Sequence, residues 1–305
     1  MRYVAALAAL VVLAACGSET EPGSRAEESP TPAAPVVTPT SMPTAVPVPD
    51  GPVKSSVVNV LDDGDGAELC LGGQLDSYPP QCGGPRLVGW DWSQHEGDYE
   101  EASGVRWGDF GVTGTFDGRD FTPTEVVPAD ELEPAVYEDT TDFASPCPEP
   151  EGGWAVIDPT TTSMRSQDAT MRAARRIEGY AGAWLDQTIN PAYGSDDGEE
   201  QMAKLNDPAL LVINVQVTGD PAAAEAVLRE TWGGALCVTR AQHTERELRA
   251  IQREVLELPG MLGGGSGFDK VDAFVIFDDG TLQAWVDREY GPGVVEIGSA
   301  LVPVD

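Results

Sequence analysis

The cysteines are the residues of this chain best suited to specific chemistry. There are five of them: Cys16, Cys70, Cys82, Cys147 and Cys237. A cysteine can be acylated, can pair in a disulfide, or can ligate a metal ion. The spacing contains no C-x-x-C pair, and His95 and His243 are the only histidines. A structural zinc site needs four closely spaced ligands of these kinds, so we expect no metal and no cofactor.

Cys16 differs from the other cysteines because it ends an export signal. Arg2 gives a positive start, and residues 4–15 are an uncharged apolar run of twelve residues. A helix that spans a membrane needs about 20 apolar residues, so this run is too short to be one. The run closes on Leu13-Ala14-Ala15-Cys16, which resembles the lipobox of bacterial lipoproteins. The resemblance implies cleavage before Cys16 and attachment of diacylglycerol and palmitate to it. An ordinary secretory signal with an incidental cysteine is the alternative.

The other four cysteines are predicted to form disulfides. An even number of cysteines in an exported chain indicates pairing in an oxidising compartment. Three pairings are open, and we favour Cys70–Cys82 with Cys147–Cys237. The first would close a short loop rich in proline and glycine, and the second would join the middle segment to the C-terminal part. Loop-closure entropy gives each bond roughly 3–4.5 kcal/mol.

No set of residues forms a recognisable catalytic motif. A Gly-x-Ser-x-Gly elbow and a His-Glu-x-x-His helix are both missing from the sequence. Ser266 lies in the run Gly263-Gly264-Gly265-Ser266-Gly267, which we interpret as a flexible loop. A glycosidase pair could be present among the 51 acidic residues, but spacing alone cannot select it. We therefore predict no catalytic residues, and keep an enzyme as the alternative.

Three tryptophans are candidates for a recognition face. Trp90 and Trp92 lie two residues apart in a predicted strand, Arg86 to Trp92, so they would share one face. With Trp107 they would form either an exposed aromatic platform for a glycan or peptide, or part of a core. We favour the core, because large aromatic residues usually fill small barrels.

The charge excludes one class of partner. The 305 residues carry 51 acidic and 18 basic side chains, a net charge of −33. Proteins bind phosphate backbones by neutralising them with Lys and Arg, so we expect no nucleic acid as partner. One basic cluster stands out, and we expect it to be a solvated helix face paired with local acids. It comprises Arg165, Arg172, Arg175 and Arg176.

Composition divides the chain into five segments. Residues 1–15 are the signal peptide and residues 16–52 a disordered tether rich in proline and threonine. Residues 53–129 alternate as short strands with glycine turns, which predicts a small antiparallel β barrel of the OB type. An acidic linker follows at residues 130–165.

Residues 166–305 alternate between strands and helices, which predicts an α/β sandwich and makes the whole chain α+β. The first helix is predicted from Gln167 to Gln187. Asp220 with Pro221, and the capping box of Thr244 with Glu247, predict two further helix starts. We expect the last strand from Val294 to Val302, and no internal repeat is evident.

One run of motifs is distinctive. It reads Cys70-Leu71-Gly72-Gly73, then Tyr78-Pro79-Pro80-Gln81-Cys82-Gly83-Gly84-Pro85, then Gly89-Trp90-Asp91-Trp92. This run resembles a family of secreted proteins and lipoproteins of actinobacteria that has no assigned function. The resemblance extends to Gly114-Thr115-Phe116-Asp117-Gly118 and to the C-terminal half. It implies an exported protein and no particular activity.

These observations predict a lipid-anchored protein on the outer face of the cell membrane that binds or scaffolds an envelope component. The partners would be the membrane, through the anchor, and a cell-wall glycan or an envelope protein. An enzyme acting on the cell wall or on an exported substrate is the alternative. Two converging carboxylates in a deep pocket would favour the enzyme.

Overall fold

A computed structural model describes residues 41–73, 75, 77–133, 143–194, 204–267 and 269–304. The predicted signal peptide and Cys16 lie outside the described residues. The fold is mixed α+β, as predicted, and the described part belongs to one compact unit. Its helices and strands, in chain order, are β1 (Val53–Ser55), β2 (Val58–Asp62), β3 (Glu68–Leu69), β4 (Arg86–Leu87), β5 (Glu100–Ala102), β6 (Val105–Phe116), β7 (Asp120–Pro128), α1 (Met164–Ala174), β8 (Tyr180–Asp186), β9 (Val212–Val217), α2 (Pro221–Arg229), β10 (Ala235–Arg240), α3 (Glu245–Val255), β11 (Met261–Gly267), β12 (Lys270–Val275), α4 (Thr281–Tyr290), β13 (Val295–Ser299) and β14 (Leu301–Pro303). No helix among the described residues is long and apolar enough to cross a membrane.

Five strands of the N-terminal sheet pair in a closed ring. β2 pairs with β3, β3 with β4, β4 with β7, β7 with β6, and β6 again with β2. Only the β4–β7 pair in this ring is parallel. Three more strands extend the sheet to eight, because β1 and β5 pair with β6 and β14 pairs with β1.

The long hairpin of β6 and β7 packs against the hydrophobic core of the N-terminal sheet. Phe110 and Phe121 are fully buried there and pack with β-branched and aliphatic residues of the other strands. Gly114 lets the two strands meet at a register shift, since a Cβ on it would lie 2.2 Å from the carbonyl oxygen of Thr122. Such a bulge increases the local twist that a small closed sheet needs.

The C-terminal part contains the same structural unit twice, which the sequence did not predict. Each unit runs helix, strand, strand, helix, strand: α1-β8-β9-α2-β10 and α3-β11-β12-α4-β13. In each, the first two strands are antiparallel and the last two are parallel. Both helices of a unit pack on one face of its three-stranded sheet. The repeat therefore lies in topology and packing.

The opposite face of the first sheet is covered by the segment around Cys147. The Cys147–Cys237 disulfide, Trp154 and Ile189 pack against Val212 and its neighbours in the sheet. Asp186, at the end of β8 and 2% exposed, holds this segment. Its carboxylate accepts bonds from the N–H and hydroxyl of Ser145, both 2.7 Å, and from the N–H and hydroxyl of Thr188.

Three predicted elements of the C-terminal part are wrong. The helix predicted from Gln167 to Gln187 ends at Ala174, and residues 180–186 are strand β8. Gly179 turns the chain at a φ of +80°, and the side chains of Ala183 and Leu185 then alternate onto the core. Ala181 and Trp184 continued the helical spacing past the end of α1. Over so short a stretch, periodicity alone does not separate a helix from a strand. The glycine-rich loop at residues 263–267 is part of strand β11, and the last strand divides into β13 and β14.

The N-terminal sheet and the second C-terminal unit share a core. Phe277 and Leu301 are buried in the core of the N-terminal sheet, although the prediction assigned them to another domain. The chain also packs before residue 53, within the segment predicted as a tether. Met42 contacts the core of the second unit, and Val46 contacts the N-terminal core. Contacts between residues so distant in sequence leave no local pattern.

Candidate functional site

The two favoured disulfides, Cys70–Cys82 and Cys147–Cys237, are the two disulfides of the structure. The first closes the loop that carries Tyr78, whose ring is nearly perpendicular to that of Trp107, with the ring centroids 5.5 Å apart. Disulfides persist in oxidising compartments and are rare where thiols are kept reduced. They therefore indicate an extracytoplasmic, exported protein.

The tryptophans do not form an exposed platform, so the core alternative describes them. Trp92 is 6% exposed and Trp107 is 9% exposed. Gly89, at a φ of +81°, turns the chain after β4, and Trp92 begins a 3-10 turn instead of continuing the predicted strand. The indole of Trp92 donates to Asp62 at 3.0 Å. The half-buried ring of Trp90 stacks on His95, with centroids 4.6 Å apart.

His243, Ser266 and the acidic turn after β2 make hydrogen bonds with neighbouring groups. The N–H of His243 donates to Asp269 at 2.8 Å, and the Ser266 hydroxyl donates to Gln252 at 2.9 Å. In the turn after β2, Asp62 accepts bonds from the N–H groups of two glycines. Within the described ranges, no three His, Cys, Asp or Glu side chains are grouped to hold a metal ion.

The structure brings together an acidic cleft beside β6 that the sequence did not reveal. Its volume is about 340 Å³, and four carboxylates and two aromatic rings are among its lining residues. These six are Asp98, Tyr99, Glu100, Trp107, Asp109 and Asp130. They come from β5 and the loop before it, from β6, and from the turn after β7. Residues so scattered carry no spacing signal, which explains why sequence reasoning missed them.

The strands that underlie the cleft hold its lining residues in place. Asn59, buried on β2, donates to the Asp109 carboxylate at 3.1 Å and so orients one acid. Gly108 lets the loop before β5 lie against β6, because a Cβ there would lie 2.5 Å from the carbonyl oxygen of Asp98. Tyr99 is half-buried against Trp92. The cleft is thus built on packed elements, while its carboxylates face solvent.

Such an arrangement suits a ligand with several hydroxyl or ammonium groups. Ionised carboxylates are acceptors only, and two oxygens on each accept bonds from O–H and N–H donors. Aromatic rings add apolar contact beside a polar edge. A few convergent polar groups in a concave surface are the usual composition of a small-molecule site.

Comparison with protein-family models, with curated proteins and with solved structures finds no match to this chain. The resemblance to actinobacterial secreted proteins and lipoproteins therefore stays a prediction.

Proposed function

We propose that this protein is an exported lipoprotein, held to the outer face of the membrane by lipid on Cys16, that binds a cell-wall glycan in the acidic cleft. The observation that carries the binding proposal is the set of four carboxylates and two rings around one cleft of about 340 Å³. Two disulfides and the lipobox-like sequence support the location.

The strand ring supports a barrel of the OB type. Named a to e in chain order, β2, β3, β4, β6 and β7 pair as a-b-c-e-d-a, with the single parallel pair between c and e. OB folds are five-stranded, partly open Greek-key barrels that bind oligonucleotides and oligosaccharides. With a net charge of −33, the chain repels oligonucleotides, and an oligosaccharide is the ligand that fits.

Binding to insoluble cell-wall material tests the proposal. The double variant Asp98→Asn/Asp109→Asn keeps side-chain size but replaces two acceptors by amides. We expect it to lose most of the glycan that the unmodified chain retains. Glu125→Gln, on the exposed surface of β7, is the matched control and should bind normally. Equal retention by the double variant and the control would contradict the cleft as the site.

An enzyme acting on the cell wall is the second candidate, and the same carboxylates favour it. Glycosidases use a pair of acidic groups on either side of the scissile bond. An enzyme would release soluble reducing ends from the wall material, whereas a binding protein would retain the material intact. Measuring both in one experiment separates the two functions.

A further inference from the structure

A second cleft has the opposite charge to the rest of the molecule. It has a volume of about 370 Å³ and lies between the end of α1 and the exposed side of α3. Four arginines and one glutamate line it: Arg175, Arg246, Arg249, Arg253 and Glu245. The whole chain has 18 basic residues against 51 acidic ones, so this excess of arginine is a local reversal of charge.

Helical spacing and the repeated unit bring these arginines together. Residues 246, 249 and 253 lie three and four positions apart, which places them along one side of α3. Leu248 and Val255, on another side of the helix, are buried in the core. Arg175 directly follows α1 and reaches the cleft from the other unit. The arginine cleft is therefore formed where the two repeated units meet.

Among the described residues, the acids of α3 form an ion pair with one of the four arginines of the cleft, Arg249. Glu245 is bound by Arg249 at 2.8 Å, Glu247 closes the capping box, and Glu254 accepts a bond from Tyr290 at 3.0 Å. In the part of the chain that the structure describes, Arg175, Arg246 and Arg253 have no carboxylate within ion-pair distance. Arg175 is exposed to solvent, as predicted, but the predicted pairing with a local acid is not seen within the described residues.

Tyr180, half-buried at the start of β8, is a polar group near Arg175. Burial raises the pKa of its hydroxyl, and the Arg175 guanidinium acts against that shift. Glu245 and Arg249 are close enough to act on that hydroxyl electrostatically. Like charges at three- and four-residue spacing destabilise a helix, so an anion in the cleft would offset an existing repulsion.

We propose that the arginine cleft binds a small phosphate-bearing ligand. Guanidinium groups present a planar fork of donors that matches phosphate oxygens, and they stay charged at every physiological pH. The volume admits a phosphate with a group attached. Long polyanions would meet the acidic surface around the cleft, so the fit is to an isolated phosphate. This site does not depend on the lipid anchor or on the acidic cleft.

Thermal unfolding with inorganic phosphate tests the site, using the full chain with Cys16→Ser so that no acyl chain contributes. We expect phosphate to raise the unfolding temperature of this protein. The added double change Arg246→Gln/Arg253→Gln should weaken phosphate binding by at least about tenfold, since two charge-assisted interactions are lost. Its unfolding temperature without phosphate should stay equal or rise, because repulsion is removed.

Arg172→Gln/Arg288→Gln is the matched control, since it removes the same charge from exposed positions outside the cleft. It should keep the phosphate response. Phosphatidylcholine vesicles with and without phosphatidic acid show whether the phosphate group belongs to a lipid or to a soluble ligand. Binding to phosphatidic acid that requires the arginines assigns a lipid headgroup, and a response to free phosphate alone assigns a soluble ligand. No stabilisation by phosphate, or equal stabilisation of the Arg246/Arg253 variant, would overturn the proposal.

Discussion

Removing the Cys147–Cys237 disulfide should destabilise the protein more than removing Cys70–Cys82. The first bond joins residues 90 positions apart and the second joins residues 12 apart. Loop-closure entropy then assigns about 4.5 kcal/mol to the long loop and about 3 kcal/mol to the short one. Cys237 is also 1% exposed within a packed layer, so its loss adds a packing cost.

The comparison uses Cys147→Ala/Cys237→Ala and Cys70→Ala/Cys82→Ala, unfolded in urea and followed by tryptophan fluorescence. Alanine avoids burying an unpaired hydroxyl where Cys237 lies. We expect the long-loop variant to lose at least about 1.5 kcal/mol more free energy of unfolding than the short-loop variant, from the difference in loop length. A smaller loss for the long-loop variant would refute the reasoning that this bond fixes the covering segment to the sheet.

Three further substitutions test the fold. Gly84→Ala should lower the free energy of unfolding in urea by more than about 2 kcal/mol, because the new Cβ would lie 1.8 Å from the carbonyl oxygen of Leu69. Gly83→Ala is the control and should leave the stability close to unchanged, because a Cβ there meets open space. Burial raises the pKa of Asp186, but its four hydrogen-bond donors lower it further, so the net pKa lies below the ordinary value of an aspartate. The ionised carboxylate therefore stabilises the fold at pH values above the ordinary pKa, and this stabilisation is lost as the pH falls through the folded-state pKa. Asp186→Asn should cost about 2 kcal/mol at neutral pH and lose this acid-dependent step in unfolding scans; an unchanged step would exclude the carboxylate as its source. Trp92→Phe should lower the free energy of unfolding by about 1–3 kcal/mol, since it removes the hydrogen bond to Asp62 and part of the ring volume. A variant as stable as the wild type would contradict the placement of this ring in the core.

Elements defined by neighbouring residues could be predicted from the sequence. The capping box of Thr244 and Glu247 and the start of α2 at Asp220 and Pro221 are present as predicted. Each depends on hydrogen bonds within three residues, so the local sequence contains the whole interaction. The strands of the β6–β7 hairpin are similarly marked by the Asp117-Gly118 turn between them.

Features that depend on distant contacts could not be predicted. β14 lies beside β1 although some 250 residues separate them in the chain. The repeated units share topology and helix placement, which a search for similar residue patterns does not detect. Both clefts combine side chains from separate elements, and Arg175 gave no sign that it would face the arginines of α3. In each case the contacts are set by three-dimensional packing, and the spacing of residues in the sequence contains no information about that packing.

The chemical state of Cys16 tests the proposed location most directly. Mass spectrometry of the protein isolated from the membrane fraction of its own cells identifies both the first residue and any modification. We expect Cys16 to be the first residue, carrying diacylglycerol and palmitate, with residues 1–15 absent. Cys16→Ser should then appear uncleaved or in the soluble fraction. A different first residue, or an unmodified Cys16 in membrane-bound protein, would contradict the proposal.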